Sequence, residues 1–222
     1  MIVSSYADLA AELSALGLIA RGGFAVRPED GLDGVATLVL VGNAGPAFWP
    51  AFAAGRRTEP DPLDAWVRRA LEPVARRVGA RVAMPDDGPP YHPFQQWAMR
   101  AEPVHPAPLG LLIHPAYGLW HAYRAALLFP TAIGLPEPPT AASPCETCVG
   151  RPCLSACPVG AFDASGYDVD ACRGHAGGPD GAACRDGGCL ARHACPVGRD
   201  YAYGPEQQAF HMAAFLPRSR QP

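Results

Sequence analysis

Apolar residues along this chain alternate between two periods. Leu9, Leu13 and Leu16 share one face of a 3.6-residue repeat, Ser5 can cap the start and Gly17 can end it, so 5–16 is expected to be an amphipathic helix. The run VATLVLV at 35–41 is β-branched, apolar and bounded by glycines, which predicts a buried strand. A short helix is expected over 48–54 and a longer one over 62–78, with Asp61 as N-cap, Pro62 in the first turn and Pro73 as a break or kink. Residues 80–84 read as a short strand and 94–101 as a helix. The stretch 108–130 predicts two strands, 109–114 and 120–129, joined by a Pro/Gly turn. Four prolines in 131–144 mark a linker, a cysteine-rich region follows to about 198, and 203–215 predicts a helix that packs back on the first domain. The expected fold class is α+β, divided into 1–140, 141–200 and 201–222.

Composition narrows the chemistry. The chain has 222 residues and a net charge of −3, so neither a nucleic-acid footprint nor membrane binding is expected. All 18 basic residues are arginine, which removes lysine from the catalytic options. With 24 glycines and 26 prolines, loops should be plentiful. The first residues, MIVSSYADLAAELSALGL, lack a basic leader region and carry Asp8 and Glu12, so they do not read as a signal peptide. No apolar run reaches the roughly 18 residues of a membrane span. The expected compartment is the cytoplasm, where disulfides do not persist, and eight cysteines there point to metal.

The cysteines are Cys145, Cys148, Cys153, Cys157, Cys172, Cys184, Cys189 and Cys195. Cys157 and Cys195 both open a Cys-Pro-Val-Gly tetrapeptide, an internal repeat. Cysteine runs that each close on Cys-Pro are the signature of a two-cluster ferredoxin, in which the cysteine before the proline ligates the other cube. Crossed ligation would give one [4Fe–4S] cluster Cys145, Cys148, Cys153 and Cys195, and the other Cys157, Cys172, Cys184 and Cys189. The spacings depart from the usual pattern: the first run is C-x2-C-x4-C-x3-C-P and the second C-x4-C-x5-C-P, with Cys172 far upstream, so the pairing stays open. The competing reading is structural zinc, which prefers paired C-x2-C knuckles, and only one strict C-x2-C occurs. His175 and His193 read as surface or supporting residues, since the cysteines already suffice.

The cysteine region resembles the ferredoxin-like part of epoxyqueuosine reductases and reductive dehalogenases. The segments VATLVLVGNAGPAFWPAF (35–52), DPLDAWV (61–67), PPYHPFQQWAMRA (89–101), IHPAYGLWHAYRAALLFP (113–130) and YGPEQQAF (203–210) resemble vitamin B12-processing proteins of the cobalamin C type, which are decyanases and dealkylases. Together these resemblances imply a nitroreductase-like domain that holds cobalamin in its base-off state, with an inserted ferredoxin-like module bearing two [4Fe–4S] clusters. Arg124 matches an arginine implicated in glutathione or substrate binding, and His114, Tyr117, Trp120 and Tyr123 match in position. Implied partners are a corrinoid and an electron-donor protein (a ferredoxin, flavodoxin or reductase), with a homodimer by analogy. Reductive dehalogenases usually carry a twin-arginine export signal, absent here, and epoxyqueuosine reductases continue into helical repeats.

With what the resemblances imply, three functions stay open. Electrons could pass through two clusters to a corrinoid and remove its upper ligand. The chain could be an electron-transfer protein with no organic cofactor, or the front domain could hold flavin, for which no specific motif is present. Alternation over 120–129 places Trp120, Ala122 and Arg124 on one face and His121 and Tyr123 on the other. An arginine on so apolar a strand needs a partner.

Overall fold

The computed structural model describes residues 5–163 and 166–216; residues 1–4, part of the leader reading, and 217–222, the end of the expected C-terminal segment, lie outside the described residues. In chain order the elements are α1 (Tyr6–Ser14), β1 (Ile19–Ala25), β2 (Thr37–Ala44), α2 (Trp49–Gly55), α3 (Pro62–Val78), β3 (Arg81–Ala83) and α4 (Phe94–Ala101). Next come β4 (His105–Pro106), β5 (Leu112–Ile113), β6 (His121–Phe129), α5 (Pro152–Ser155), β7 (Phe162–Asp163), β8 (Gly166–Tyr167) and α6 (Val169–Gly177). The last are α7 (Ala182–Gly187), α8 (Leu190–Ala194) and α9 (Pro205–Phe215). The fold is mixed α+β, with nine α-helices among the described residues. No helix among them is long and apolar enough to cross a membrane.

The chain divides into two compact units. The first comprises the described residues up to Pro103 together with His121–Ala141. Its sheet is antiparallel throughout, in the order β1-β2-β6-β3. β2 and β6 lie at the centre with Val39 opposite Leu127 and Leu40 opposite Ala126, and Leu38–Val41 are fully buried. Burial on both faces explains why these strands read as continuous apolar runs. α4 packs on β1 and β2, and α3 on β3 and β6. Ser5 caps α1 by accepting from the Asp8 amide. α3 runs unbroken through Pro73, because Leu71, Val74, Ala75 and Val78 bury its inner face. Asp61 precedes α3 in the left-handed region (φ 46°) and its side chain does not cap the helix.

β1 escaped the sequence pattern because its core, IARGGFA, holds two adjacent glycines. The strand carries a bulge between Ala20 and Gly23. Gly22 sits there at φ 67°, and a Cβ on it would lie 2.4 Å from the Ala101 carbonyl oxygen. Only glycine permits both that turn and that approach to the end of α4. The bulge sends Arg21 inward, where its side chain is wholly buried. Its guanidinium pairs with Glu102 at 2.6 Å, donates to Tyr123 Oη at 3.2 Å and to the Asn43 carbonyl at 3.4 Å, and meets His121 Nδ1 at 3.3 Å. Arginine only donates, so His121 Nδ1 accepts and the ring proton sits on Nε2. The Tyr123 hydroxyl in turn donates to Glu102 at 2.8 Å.

The second unit comprises Val104–Trp120 and the described chain from Ala142. The expected strand at 109–114 shrinks to the two residues of β5, paired with β4, because Pro106 and Pro108 cut the ladder short. α9 belongs to this unit and packs on α7, whereas the sequence reading attached that helix to the first domain. Arg173 of α6 donates to the Phe215 carbonyl at the end of α9. A Cβ on Gly118 (φ 57°) would fall 1.9 Å from the Val197 carbonyl oxygen, so the turn after β5 lies directly against the second Cys-Pro-Val-Gly.

Glu102→Ala should destabilise the first unit by about 3–5 kcal/mol, because it strands the buried Arg21 charge. Urea denaturation of the variant against the parent checks this, and a loss under about 1 kcal/mol would show the pair to be dispensable.

Candidate metal centre

Four short helices carry or flank the cysteines. Cys153 lies in α5, Cys172 in α6 and Cys184 in α7, while Cys189 and Cys195 bracket α8. The widened gap between Cys148 and Cys153 turns outward: Val149 is 93% exposed, and Arg151 precedes α5 in the left-handed region at φ 41°. Pro152 then starts α5, and Cys153 is buried. The two residues added to this gap are therefore spent at the surface.

All eight cysteines are free thiols. Their mutual influence sorts them into two sets. Burial pushes the Cys145 thiol up, and Cys195, Cys153 and Cys148 add to the rise. Burial also raises Cys153, followed by Cys195 and Cys148. In the other set, burial raises Cys184, with further rises from Cys172 and Cys157. Burial likewise raises Cys189; backbone amides of Arg192 and Ala191 oppose it, and Cys172 and Cys184 reinforce it. The sets are thus Cys145, Cys148, Cys153 and Cys195, and Cys157, Cys172, Cys184 and Cys189.

The four thiols of the second set line one cavity of about 270 Å³, closed by Phe162, Leu190 and Met212 among others. Among the described residues no three His, Cys, Asp or Glu side chains converge tightly enough for a single metal ion. Thiolates around one zinc, at about 2.3 Å from it, would be crowded together. A cube places iron and sulfide between its cysteine sulfurs and asks for a wider ring. A thiol-only donor set around an apolar hollow is the donor chemistry a cluster takes.

The residues matched by resemblance fall in different units. Arg124 is in the first, where its Nε donates to Asn43 Oδ1 at 3.0 Å and its guanidinium lies 5.5 Å from the Phe48 ring centroid. Asp64, in the first turn of α3, feels this cation: burial raises its carboxyl and Arg124 pulls it down. His114, Tyr117 and Trp120 are in the second unit. His114 Nδ1 accepts from the Ala116 and Tyr117 amides, and its ring stacks on Tyr117 at 4.2 Å, so it stabilises the turn. Trp120 is 2% exposed, with the Arg192 guanidinium 4.4 Å from its ring centroid and Tyr203 and His193 against its edge. His175 lines the thiol cavity, while His193 bonds the Gly187 carbonyl and Gln208.

Sequence reasoning missed the Arg21 network, Asp64 and Tyr167, which also lines the thiol cavity. A lone arginine within the apolar run IARGGFA was the available signal for the first. For Asp64 and Tyr167 no pattern distinguishes them from ordinary helix-start and loop residues.

Among known proteins, no family model and no curated protein matches the sequence. Solved structures do. An epoxyqueuosine reductase bound to an epoxyqueuosine-modified tRNA-Tyr stem loop matches with a TM-score of 0.54 at 16% identity, over 91% of this chain and 68% of that one. Epoxyqueuosine reductase from Bacillus subtilis gives 0.54 at 15% identity over the same shares. The Streptococcus thermophilus enzyme gives 0.55 at 14% identity, over 89% and 67%. At such identities the likeness establishes a shared fold. It also corrects one expectation. The exclusion of nucleic acid rested on a net charge of −3, yet this fold occurs in a protein solved with a tRNA stem loop. Net charge averages over a whole surface, whereas recognition depends on the local field.

The raised thiols have a consequence for stability. Thiols that ionise near pH 9 when unfolded keep their protons to higher pH when folded. The iron-free fold is therefore fully stabilised below about pH 9 and loses stability as pH rises above it. Thermal unfolding of the apoprotein between pH 7 and 10 should show a falling midpoint, and a flat profile would contradict the assignment.

Proposed function

We propose that this chain is an iron–sulfur reductase. Cys145, Cys148, Cys153 and Cys195 hold one [4Fe–4S] cluster and Cys157, Cys172, Cys184 and Cys189 the other, and the first unit serves a corrinoid. The observation that carries this reading is the sorting of eight free, buried or half-buried thiols into two crossed sets. Bound clusters supply single electrons, and a corrinoid supplies a strongly reducing cobalt centre. The chain's residues supply the ligands and an apolar wall that keeps water from the second set. In the first unit, Arg124 and the half-buried Asp64 offer a cation and a carboxyl. Burial favours the protonated form of Asp64 and Arg124 opposes it, which makes Asp64 the candidate proton donor. An electron-donor protein would load the clusters.

The substrate class supported by the shared fold is a modified nucleoside in RNA, since epoxyqueuosine in tRNA is what the neighbouring structure was solved with. Reductive removal of a cobalamin upper ligand is the second reading, carried by the sequence likeness of 113–130.

Anaerobic purification should yield roughly eight irons per chain. Cys195→Ala and Cys189→Ala should each retain roughly four, in spectroscopically different clusters. Cobalamin added to the loaded protein should change its absorption spectrum. Absence of iron would end the cluster reading, and an unchanged spectrum would end the corrinoid one. Supplied with reductant and cobalamin, the loaded protein should convert epoxyqueuosine in tRNA; removal of the upper ligand of cyanocobalamin with no conversion of the tRNA selects the cobalamin-processing reading.

A further inference from the structure

Tyr167 stands beside the second thiol set for reasons built into the local fold. β7 and β8 pair Phe162 with Tyr167, and the two rings stack at 4.6 Å with an interplanar angle of 12°. The hairpin is tied to the thiols at both ends. On one side the Ala161 amide donates to Cys157 Sγ at 3.3 Å. On the other, Asp168 caps α6 through the Ala171 amide at 2.9 Å, and its carbonyl accepts from the Cys172 amide at 3.2 Å. Asp168 also donates its own amide to the Ala161 carbonyl at 2.8 Å, closing the ring of contacts. Tyr167 thus sits just before the helix that carries Cys172, and its side chain lines the cavity that the four thiols share. The residue is 37% exposed, placing part of it between the thiols and solvent.

We propose that the Tyr167 hydroxyl donates a hydrogen bond to Cys172 Sγ and so raises the reduction potential of the cluster on the second thiol set. The proposal rests on the cluster reading above. An O–H aimed at a ligand sulfur stabilises the extra negative charge of the reduced cluster more than the oxidised form, which favours reduction. The phenol supplies an O–H donor that the four thiols of this set cannot supply once they are ligands. A bond stronger by about 1 kcal/mol in the reduced cluster than in the oxidised one corresponds to a factor of about five in the ratio of the two.

Anaerobically purified parent, Tyr167→Phe and Tyr167→His are compared by iron content and by EPR-monitored redox titration. Tyr167→Phe keeps the ring and removes the donor. It should keep the full iron complement and shift one cluster to lower potential. At a fixed ambient potential the reduced-to-oxidised ratio of that cluster should fall about fivefold, with the other cluster unchanged. Tyr167→His, which keeps a ring donor, should lie nearer the parent. Equal potentials in all three proteins, equal shifts in both clusters, or equal shifts in the Phe and His variants would overturn the role of the hydroxyl while leaving the clusters in place. Parent protein without iron would overturn the cluster reading itself, and this proposal with it. A Phe variant that loses iron while the His variant retains it would assign Tyr167 to assembly and also overturn the proposal.

Discussion

Eight thiols gathered in one small unit are an electrostatic problem before they are a cofactor site. Each thiolate in such a group is disfavoured twice, by loss of water and by its neighbours' charge. Burial is the leading cause of the rise at Cys145, Cys153, Cys184 and Cys189, and neighbouring cysteines add to it. A cationic core relieves both costs at once, because ligation removes the protons and compensates the charge. The second unit is built around this. Its apolar cluster joins Leu109, Ile113, Leu119, Phe162 and Ala191 to Cys153 and Cys195, so thiol side chains are part of its core. A unit of this size with so few large apolar residues has a small hydrophobic core.

The crossing of the two sets follows from the same economy of length. Cys157 leaves the run that contains Cys145, Cys148 and Cys153 and joins thiols from α6, α7 and the start of α8. Cys195, at the end of α8, returns to the first run. Each set therefore draws its thiols from segments well separated in sequence. α5 has four residues and α8 five, too short to be stable without tertiary support.

Much of the first unit was legible because periodicity is strong where burial is strong. Helix 94–101 appears with the expected bounds, and 62–78 likewise, since their apolar faces repeat cleanly. β6 was visible for the same reason, and β1 was hidden because a glycine bulge erases the alternation that defines a strand. The short helices of the second unit were hidden for another reason: their positions are set by the cysteines and by turns, and four to nine residues carry too little periodicity to read. The gathering of the eight cysteines in one unit was legible from their clustering in sequence. The contact of Arg21 with Glu102 joins residues whose sequence positions predict nothing about each other.

Arg21 solves a problem that the order of units creates. The chain leaves the first unit after Pro103, contributes Val104–Trp120 to the second and returns at His121. The two ends of that excursion must be brought together before β6 can pair with β2, which costs closure entropy on the first unit's side. Glu102 stands at the exit, and His121 with Tyr123 at the return. Arg21 contacts all three from β1. A buried cation with one carboxylate partner and three neutral acceptors is specific in a way an apolar contact is not, because misplacing either end strands a charge. β1, the bulge at Gly22 and the His121 Nε2–H tautomer thus serve one end: a clamp at the base of the excursion that fixes where β6 begins. With that start fixed, β6 pairs with β2 through a register shift that leaves Arg124 opposite no β2 residue, and Arg124 bonds Asn43 and lies near Asp64.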